Sequence, residues 1–319
     1  MRTILITGGA GFIGSSLAKK LLSEPGFRVV SIDNFDNSYD RSIKEHNLGS
    51  LGENKKFSFI EGDILHIDRY FQQRMDLDAI VHLAAKTGVR ESVGNAVPYY
   101  QVNFTGTRIM LDFARSQGIP KFIFGSSGSV YGLNPHLPWK ETEPLSPISP
   151  YACSKAAAEM LGHTYAHLYP MQFIALRFFT VYGPCQRPDL VIQKFLTAVL
   201  NDEPVPVFGD GDSKRDYTYI DDAVQGIMAA LNYSASDFEI FNIAGQASVT
   251  LREVIQDIGR VCNKDLSVLR LPVQPEDVPA TIADLTKSRK LLNYTPRTTF
   301  YEGLLRQYQW LVRNLLYLL

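Results

Sequence analysis

Tyr151 and Lys155 stand four positions apart in Ser149-Pro150-Tyr151-Ala152-Cys153-Ser154-Lys155, which opens an alanine-rich stretch running to about Leu168. On a helix that spacing puts both side chains on one face, an ammonium beside a phenol. A tyrosine acting as proton acceptor near neutrality must fall from a pKa of ~10 towards ~7, a change of about 4 kcal/mol. One cation at ~4 Å in an effective dielectric of ~20 supplies about that much. Upstream, Phe122-Ile123-Phe124-Gly125-Ser126-Ser127-Gly128-Ser129-Val130-Tyr131-Gly132 reads as a strand breaking into a hydroxyl-rich loop. Hydroxyls at the C-terminal end of a strand can bond a substrate alcohol or bridge it to a phenolate.

A second constellation lies near the N-terminus, at Thr7-Gly8-Gly9-Ala10-Gly11-Phe12-Ile13-Gly14. It follows an apolar strand-like run and opens a helix expected over 12–22. Gly8 permits the tight turn, Gly11 lets backbone approach a pyrophosphate, and Gly14 allows helix and strand to pack closely, with the phosphates at the helix N-terminus. The acid required at the end of the next strand is Asp33, 19 residues beyond Gly14. A carboxylate there accepts hydrogen bonds from ribose hydroxyls and repels a 2′-phosphate, and the neighbours Asn34 and Phe35 offer no cation, so NAD is favoured over NADP. Asp63-Ile64 and Leu83-Ala84-Ala85-Lys86 each follow a strand-like run and are expected to line the same groove.

These residues need a scaffold that brings strand ends together. Apolar runs at 3–7, 28–33, 57–61, 79–84, 121–126 and 173–178 alternate with helical stretches, which argues for a parallel sheet covered on both faces. The fold class expected is therefore α/β, a doubly wound, Rossmann-like parallel sheet with a smaller mixed C-terminal substrate domain. After about residue 180 prolines and the Gly209-Asp210-Gly211 turn shorten the elements, while 221–231 and 239–243 look like a helix and a strand that rejoin the main sheet. This divides the chain into 1–179 plus 217–245 for the cofactor and 180–216 plus 246–319 for the substrate.

The chain of 319 residues has a net charge of −1 and no basic cluster, which argues against nucleic acid or an anionic membrane surface as partner. Three widely spaced cysteines form no Cys-x-x-Cys and fit a reducing compartment. The first residues run straight into a strand, and no uncharged apolar run approaches the ~18 residues needed to span a bilayer. A soluble, cytoplasmic protein is expected. His163 and His167 have helical i, i+4 spacing but no third ligand, so no metal is expected.

Taken together, the glycine turn, serine loop and Tyr-x-x-x-Lys resemble the extended short-chain dehydrogenase/reductase family, specifically its nucleotide-sugar epimerases and dehydratases, nearly from end to end. The resemblance implies Tyr151 as general base, Lys155 as the residue that lowers its pKa and holds the nicotinamide ribose, and Ser127 as an aid to proton transfer, with Ser129 a further contact. Family dehydratases carry Asp-Glu just before Val-Tyr-Gly, and the uronic-acid decarboxylases a Glu immediately before it. Here Gly128-Ser129 stands there, which leaves 4-epimerisation as the reading with no missing part.

On the substrate side, Arg177-Phe178-Phe179-Thr180-Val181-Tyr182-Gly183-Pro184 and Gln186-Arg187-Pro188-Asp189 are similar to the pattern of UDP-glucuronate 4-epimerases, whereas galactose enzymes typically have Asn where Thr180 stands. A guanidinium at Arg187 can clamp a carboxylate through two parallel bonds. By the same resemblance Arg215 grips the sugar-nucleotide diphosphate and Asp277, in Gln274-Pro275-Glu276-Asp277-Val278-Pro279, contacts the UDP ribose. Gln274 is a second pointer to uronate, since galactose epimerases usually carry arginine there; Glu276 departs from a common glycine. The implied activity is NAD-dependent inversion of C4 in UDP-glucuronate to give UDP-galacturonate. The alternatives are a UDP-glucose/galactose or UDP-N-acetylhexosamine 4-epimerase and, from another class, a non-catalytic NAD-sensing regulatory protein. Helices at 99–115 and 152–168 imply a homodimer, because family members commonly pair them across an interface. The segment 304–319 reads as a packed terminal helix.

Overall fold

The computed structural model describes residues 1–273 and 278–314. Seven strands form one sheet: β1 (Arg2–Thr7), β2 (Phe27–Asp33), β3 (Phe57–Glu61), β4 (Ala79–His82), β5 (Lys121–Ser127), β6 (Gln172–Phe178) and the strand Phe238–Ile243. Their spatial order is Phe238–Ile243, β6, β5, β4, β1, β2, β3, with every neighbouring pair parallel. Side chains alternate between two cores, as a strand buried on both faces requires. Ile4, Ile6, Ile123 and Ile174 enter one core, while Leu5, Phe122, Phe124 and Phe173 enter the other.

Helix α1 (Phe12–Ser23) fills the first core with Leu17, Ala18 and Leu21, and the helix Ile220–Asn232 adds Ala223, Val224 and Ile227. The helix Gly106–Gln117 fills the second with Met110, Leu111, Phe113 and Ala114. The result is a doubly wound, Rossmann-like sheet whose strand order reverses between β1 and β4. That reversal opens a crevice at the C-terminal strand ends, the usual ligand position in such sheets.

Some elements differ from the sequence reading. The strand expected over 79–84 stops at His82, because Leu83 N–H bonds the Thr7 carbonyl (3.1 Å) and Ala84 N–H bonds Thr7 Oγ1 (3.1 Å), turning the chain across the end of β1. The helix expected over 99–115 spans Val97–Tyr99 and Gly106–Gln117 with a π-helical turn, Tyr100–Thr105, between them. The terminal helix runs Phe300–Asn314, beginning before residue 304; residues 315–319 lie outside the described residues.

The smaller C-terminal region contains a three-stranded sheet (Ser248–Thr250, Lys214–Asp216, Ala280–Thr281) and a parallel pair (Val205–Phe208 with Val268–Leu271). It packs helices Val191–Leu200, Leu251–Cys262 and Phe300–Asn314. Thr250 and Glu253 form a reciprocal capping box at the start of Leu251–Cys262, which fixes where that helix leaves the small sheet. No helix among the described residues is long and apolar enough to cross a membrane.

Candidate active site

A groove of about 530 Å³ runs along the C-terminal edge of the sheet. At its centre the glycine turn is held by Gly8 N–H and Gly9 N–H, which both donate to the Ile32 carbonyl (2.9 and 3.2 Å). Gly8 sits at φ +71°, the left-handed region that disfavours side chains. A Cβ on Gly14 would stand 2.2 Å from the Gly8 carbonyl oxygen, so only glycine lets α1 pack this close. Gly11 caps α1 with no side-chain acceptor, and a helix start leaves its first amides without intrahelical partners. Gly8, Gly11, Phe12, Ile13 and Gly14 all line the groove, a cradle whose chemistry fits a diphosphate.

Asp33 lies at the end of β2, buried beside this turn, where its carboxylate accepts from Ala10 N–H (3.1 Å) and Phe35 N–H (2.9 Å). Asn34 and Phe35 offer no cation, but Lys44, from α2 (Arg41–Leu48) and 11 positions on in sequence, brings its Nζ within 3.7 Å. Because Lys44 also donates to the Asp36 carbonyl (2.9 Å), its charge is turned onto this loop. Asn34 donates to Asp63 (3.1 Å), whose other oxygen caps Leu65 N–H (2.8 Å). Ile64 follows, and Leu83, Ala84, Ala85 and Lys86 line the opposite wall. Lys86 Nζ reaches Asp36 at 2.8 Å, linking the loops after β2 and β4.

At the far end Tyr151 opens the helix Pro150–Leu168, started by Ser149 as side-chain cap and Pro150 in the first turn. Its phenol lies near enough to Ser127 for that hydroxyl to lower its pKa, and Ser129 donates to Ser127 through both N–H (3.2 Å) and hydroxyl (2.9 Å). Burial pushes the Tyr151 phenol above its ordinary value, while the Ser127 bond and the Arg187 charge pull it down. Lys155 is on the same helix face, but its Nζ donates to the Gly125 carbonyl (2.7 Å) over the Phe124 ring. Burial depresses it to about 7, with Glu159 opposing. In this arrangement Lys155 is directed at the Gly125 carbonyl, and Arg187 is the charge that pulls the Tyr151 phenol down.

Arg187 faces the groove with Nε bonded to Asp189 Oδ1 (2.9 Å) and Nη2 bonded to Asp189 Oδ2. Its guanidinium lies 5.8 Å from the Tyr39 ring centre. Thr180 lines the groove beside it, and Arg215 lines it from the small sheet, donating to the Lys214 carbonyl (2.8 Å). One groove thus collects every sequence-identified site residue except Asp277, which lies outside the described residues with Gln274 and Glu276. Missed were Asp36, Ser38, Tyr39 and Lys44, which line the groove from the segment after β2. Their only sequence signal is proximity to Asp33. Among the described residues no group of three side chains could hold a metal, and His163 instead sets its ring edge-on to Phe238 at 4.7 Å.

A glycine cradle, an acid at the end of β2 and a Tyr-x-x-x-Lys helix on one doubly wound sheet define a dinucleotide-using enzyme of the short-chain type. The chain belongs to the family described as GDP-mannose 4,6 dehydratase, which it matches over residues 5–307. It is 36% identical to a UDP-glucuronate 4-epimerase of Thermodesulfobacterium geofontis, covering 98% of this chain and 96% of the relative. Among solved structures it is similar to UDP-glucuronic acid 4-epimerase from Bacillus cereus in complex with UDP-glucuronic acid and NAD, with a TM-score of 0.93, 36% identity, and coverage of 98% and 99% of the two chains. It is also similar to UDP-glucose 4-epimerase from Thermotoga maritima with UDP-glucose, with a TM-score of 0.89, 32% identity, and coverage of 98% and 99%.

Proposed function

We propose that this protein is an NAD-dependent isomerase that inverts C4 of UDP-glucuronate to give UDP-galacturonate through a 4-keto sugar. The observation that carries the reading is the meeting of Tyr151, Ser127 and Arg187 in one groove, where positions 128 and 129 hold glycine and serine and no carboxylate. The family also contains dehydratases, which need acidic groups at that position to remove water. The relatives' names support the uronate.

NAD, when bound, supplies the acceptor and later the donor of the hydride at the sugar's C4. Gly8, Gly11 and the first amides of α1 would hold its diphosphate, Asp33 a ribose, and Lys155 the ribose nearer the reacting end. Tyr151 takes the proton from the sugar O4, with Ser127 bonded to both oxygens, and gives it back after the 4-keto sugar has turned its other face. Arg215, with Asp277, holds the UDP end about which that turn occurs. Arg187, oriented by Asp189 through Nε and Nη2, presents its remaining edge to the C5 carboxylate. The 4-keto form of a uronate is a β-keto acid prone to losing CO2, and a clamped carboxylate is kept from the orientation that favours cleavage.

The test is incubation with UDP-glucuronate, UDP-glucose and UDP-N-acetylglucosamine separately, reading C4 configuration by proton NMR. Wild-type protein should invert the uronate fastest. Arg187→Ala should lower kcat/KM for the uronate by about 10–100-fold relative to the neutral sugars, as loss of a charge-assisted pair does, and release a decarboxylated by-product. Unchanged selectivity with no by-product would remove Arg187 from this role.

The same reading assigns 1–179 plus 217–245 to cofactor binding and 180–216 plus 246–319 to the sugar nucleotide. A homodimer is supported by Val97, Tyr100, Phe104 and Met160, apolar side chains left exposed on the helices that family members commonly pair. Free, widely spaced cysteines support a cytoplasmic location.

A further inference from the structure

Behind the serine loop lies a buried ionic cluster that the mechanism above does not use. Glu159 Oε1 accepts from the Ser126 hydroxyl and from Arg177 Nε (3.0 Å), and Oε2 accepts from Arg177 Nη2 (2.7 Å). Both charged side chains are only 3% exposed. Arg177 also lies over the Tyr131 ring at 4.7 Å and reaches the Glu141 carbonyl (3.4 Å). A buried ion pair adds little net stability, because desolvation offsets most of the Coulomb gain, so stability alone does not account for this one. We infer that Glu159 is a positioning residue for the epimerisation: through Ser126 and Arg177 it ties the Tyr151 helix to β5 and β6, and it sets a carboxylate four residues from Lys155 on the same helix face.

Two lines of geometry meet on it. Along the Pro150–Leu168 helix, Tyr151, Lys155 and Glu159 follow one another at four-residue steps and so share a face. Across the sheet, Ser126 adjoins Ser127, which lines the groove with Tyr151 and whose hydroxyl acts on the phenol. The Ser126–Glu159 bond therefore ties the strand that carries Ser127 to the helix that carries Tyr151. The groups around Lys155 are His82 from β4, the Gly125 carbonyl and the Phe124 ring from β5, Glu159 on its own helix, with Tyr151 one turn before Lys155, and Arg177 from β6 bonded to Glu159. Burial holds His82 neutral, with its pKa pushed down to about 3. Among the described residues Glu159 is thus the negative charge opposing the desolvation that draws Lys155 down to about 7.

The sign of the effect follows. Rising pH removes the Lys155 proton, and loss of the Glu159 charge lowers the pH at which that happens. Because the inference rests on the epimerase reading, the assay is C4 inversion of UDP-glucuronate, with kcat followed against pH. In Glu159→Gln, kcat at pH 8 should fall about tenfold and the alkaline loss of activity should move about one pH unit lower, with KM changed far less. Glu159→Asp, which keeps the charge, should return the alkaline limb towards its wild-type position. Arg177, left buried and unpaired, can stop Glu159→Gln from folding. Glu159→Gln/Arg177→Met removes both charges and should show the same acidward shift, smaller. Ser126→Ala, with both charges intact, should lower kcat several-fold without moving the limb. A limb unmoved in a folded Glu159 variant, or an unchanged kcat in Ser126→Ala, overturns the inference. Wild-type protein that inverts no UDP-sugar would overturn the functional reading itself, and this inference with it.

Discussion

Replacing Tyr151 with phenylalanine is expected to lower kcat by about 10³-fold, within the range by which a positioned general base accelerates proton transfer. The ring remains, with its edge-to-face contact to Tyr99 (6.4 Å between centres), so the helix start and the groove wall should persist. What disappears is the phenol oxygen that Ser127 and Arg187 act on. Turnover should fall while KM and NAD binding, followed by protein fluorescence quenching, stay near wild type. That split separates an enzyme from a cofactor-sensing regulator, in which the phenol would carry no turnover to lose. A Tyr151→Phe protein that still inverts the sugar at a comparable rate would assign the base elsewhere.

The second large effect is expected at Gly14. An added methyl would meet backbone on two sides, 2.2 Å from the Gly8 oxygen and 3.0 Å from both the Gly8 carbonyl carbon and Gly9 Cα, with no flexible side chain to give way. Either α1 moves off the sheet or the turn opens, and both spoil the cradle. Gly14→Ala should cost about 1–3 kcal/mol or more from overpacking, visible as a lowered melting temperature, and should abolish NAD binding measured by calorimetry. Gly11→Ala makes a useful comparison, because its Cβ would meet only the Gly8 oxygen, at 3.1 Å. A Gly14→Ala protein that binds NAD normally, or is affected less than Gly11→Ala, would show that close packing of α1 is not what builds the site.

The strands were legible because each is short, apolar on both faces and bounded by turn chemistry; β3 falls at 57–61 as expected, and the later strand rejoins the sheet beside β6. The end of β4 was not, since what bends the chain after His82 is the Thr7 side chain, a partner 77 positions from Ala84. The π-helical turn at Tyr100–Thr105 left no trace either, because apolar periodicity averages over one widened turn. In the site, glycine, serine and tyrosine positions could be read from motif and spacing, whereas electrostatics could not. Lys44 beside Asp33 depends on how α2 folds back. The turn of Lys155 towards Gly125, and the depression of its pKa, come from burial between helix and sheet. Arg187 was identifiable, but its pairing with Asp189, two residues on in the same motif, depends on how the loop bends at Pro188 and is not legible in the sequence.

The central claim is that the hydride leaving C4 returns to the same carbon without escaping to solvent or to free cofactor. UDP-glucuronate deuterated at C4, incubated with the protein in ordinary water and an excess of free unlabelled NADH, tests it directly. Deuterium should remain at C4 of both UDP-glucuronate and newly formed UDP-galacturonate, read by proton NMR and mass spectrometry. Product carrying hydrogen at C4, or deuterium appearing in the free cofactor, would contradict the account.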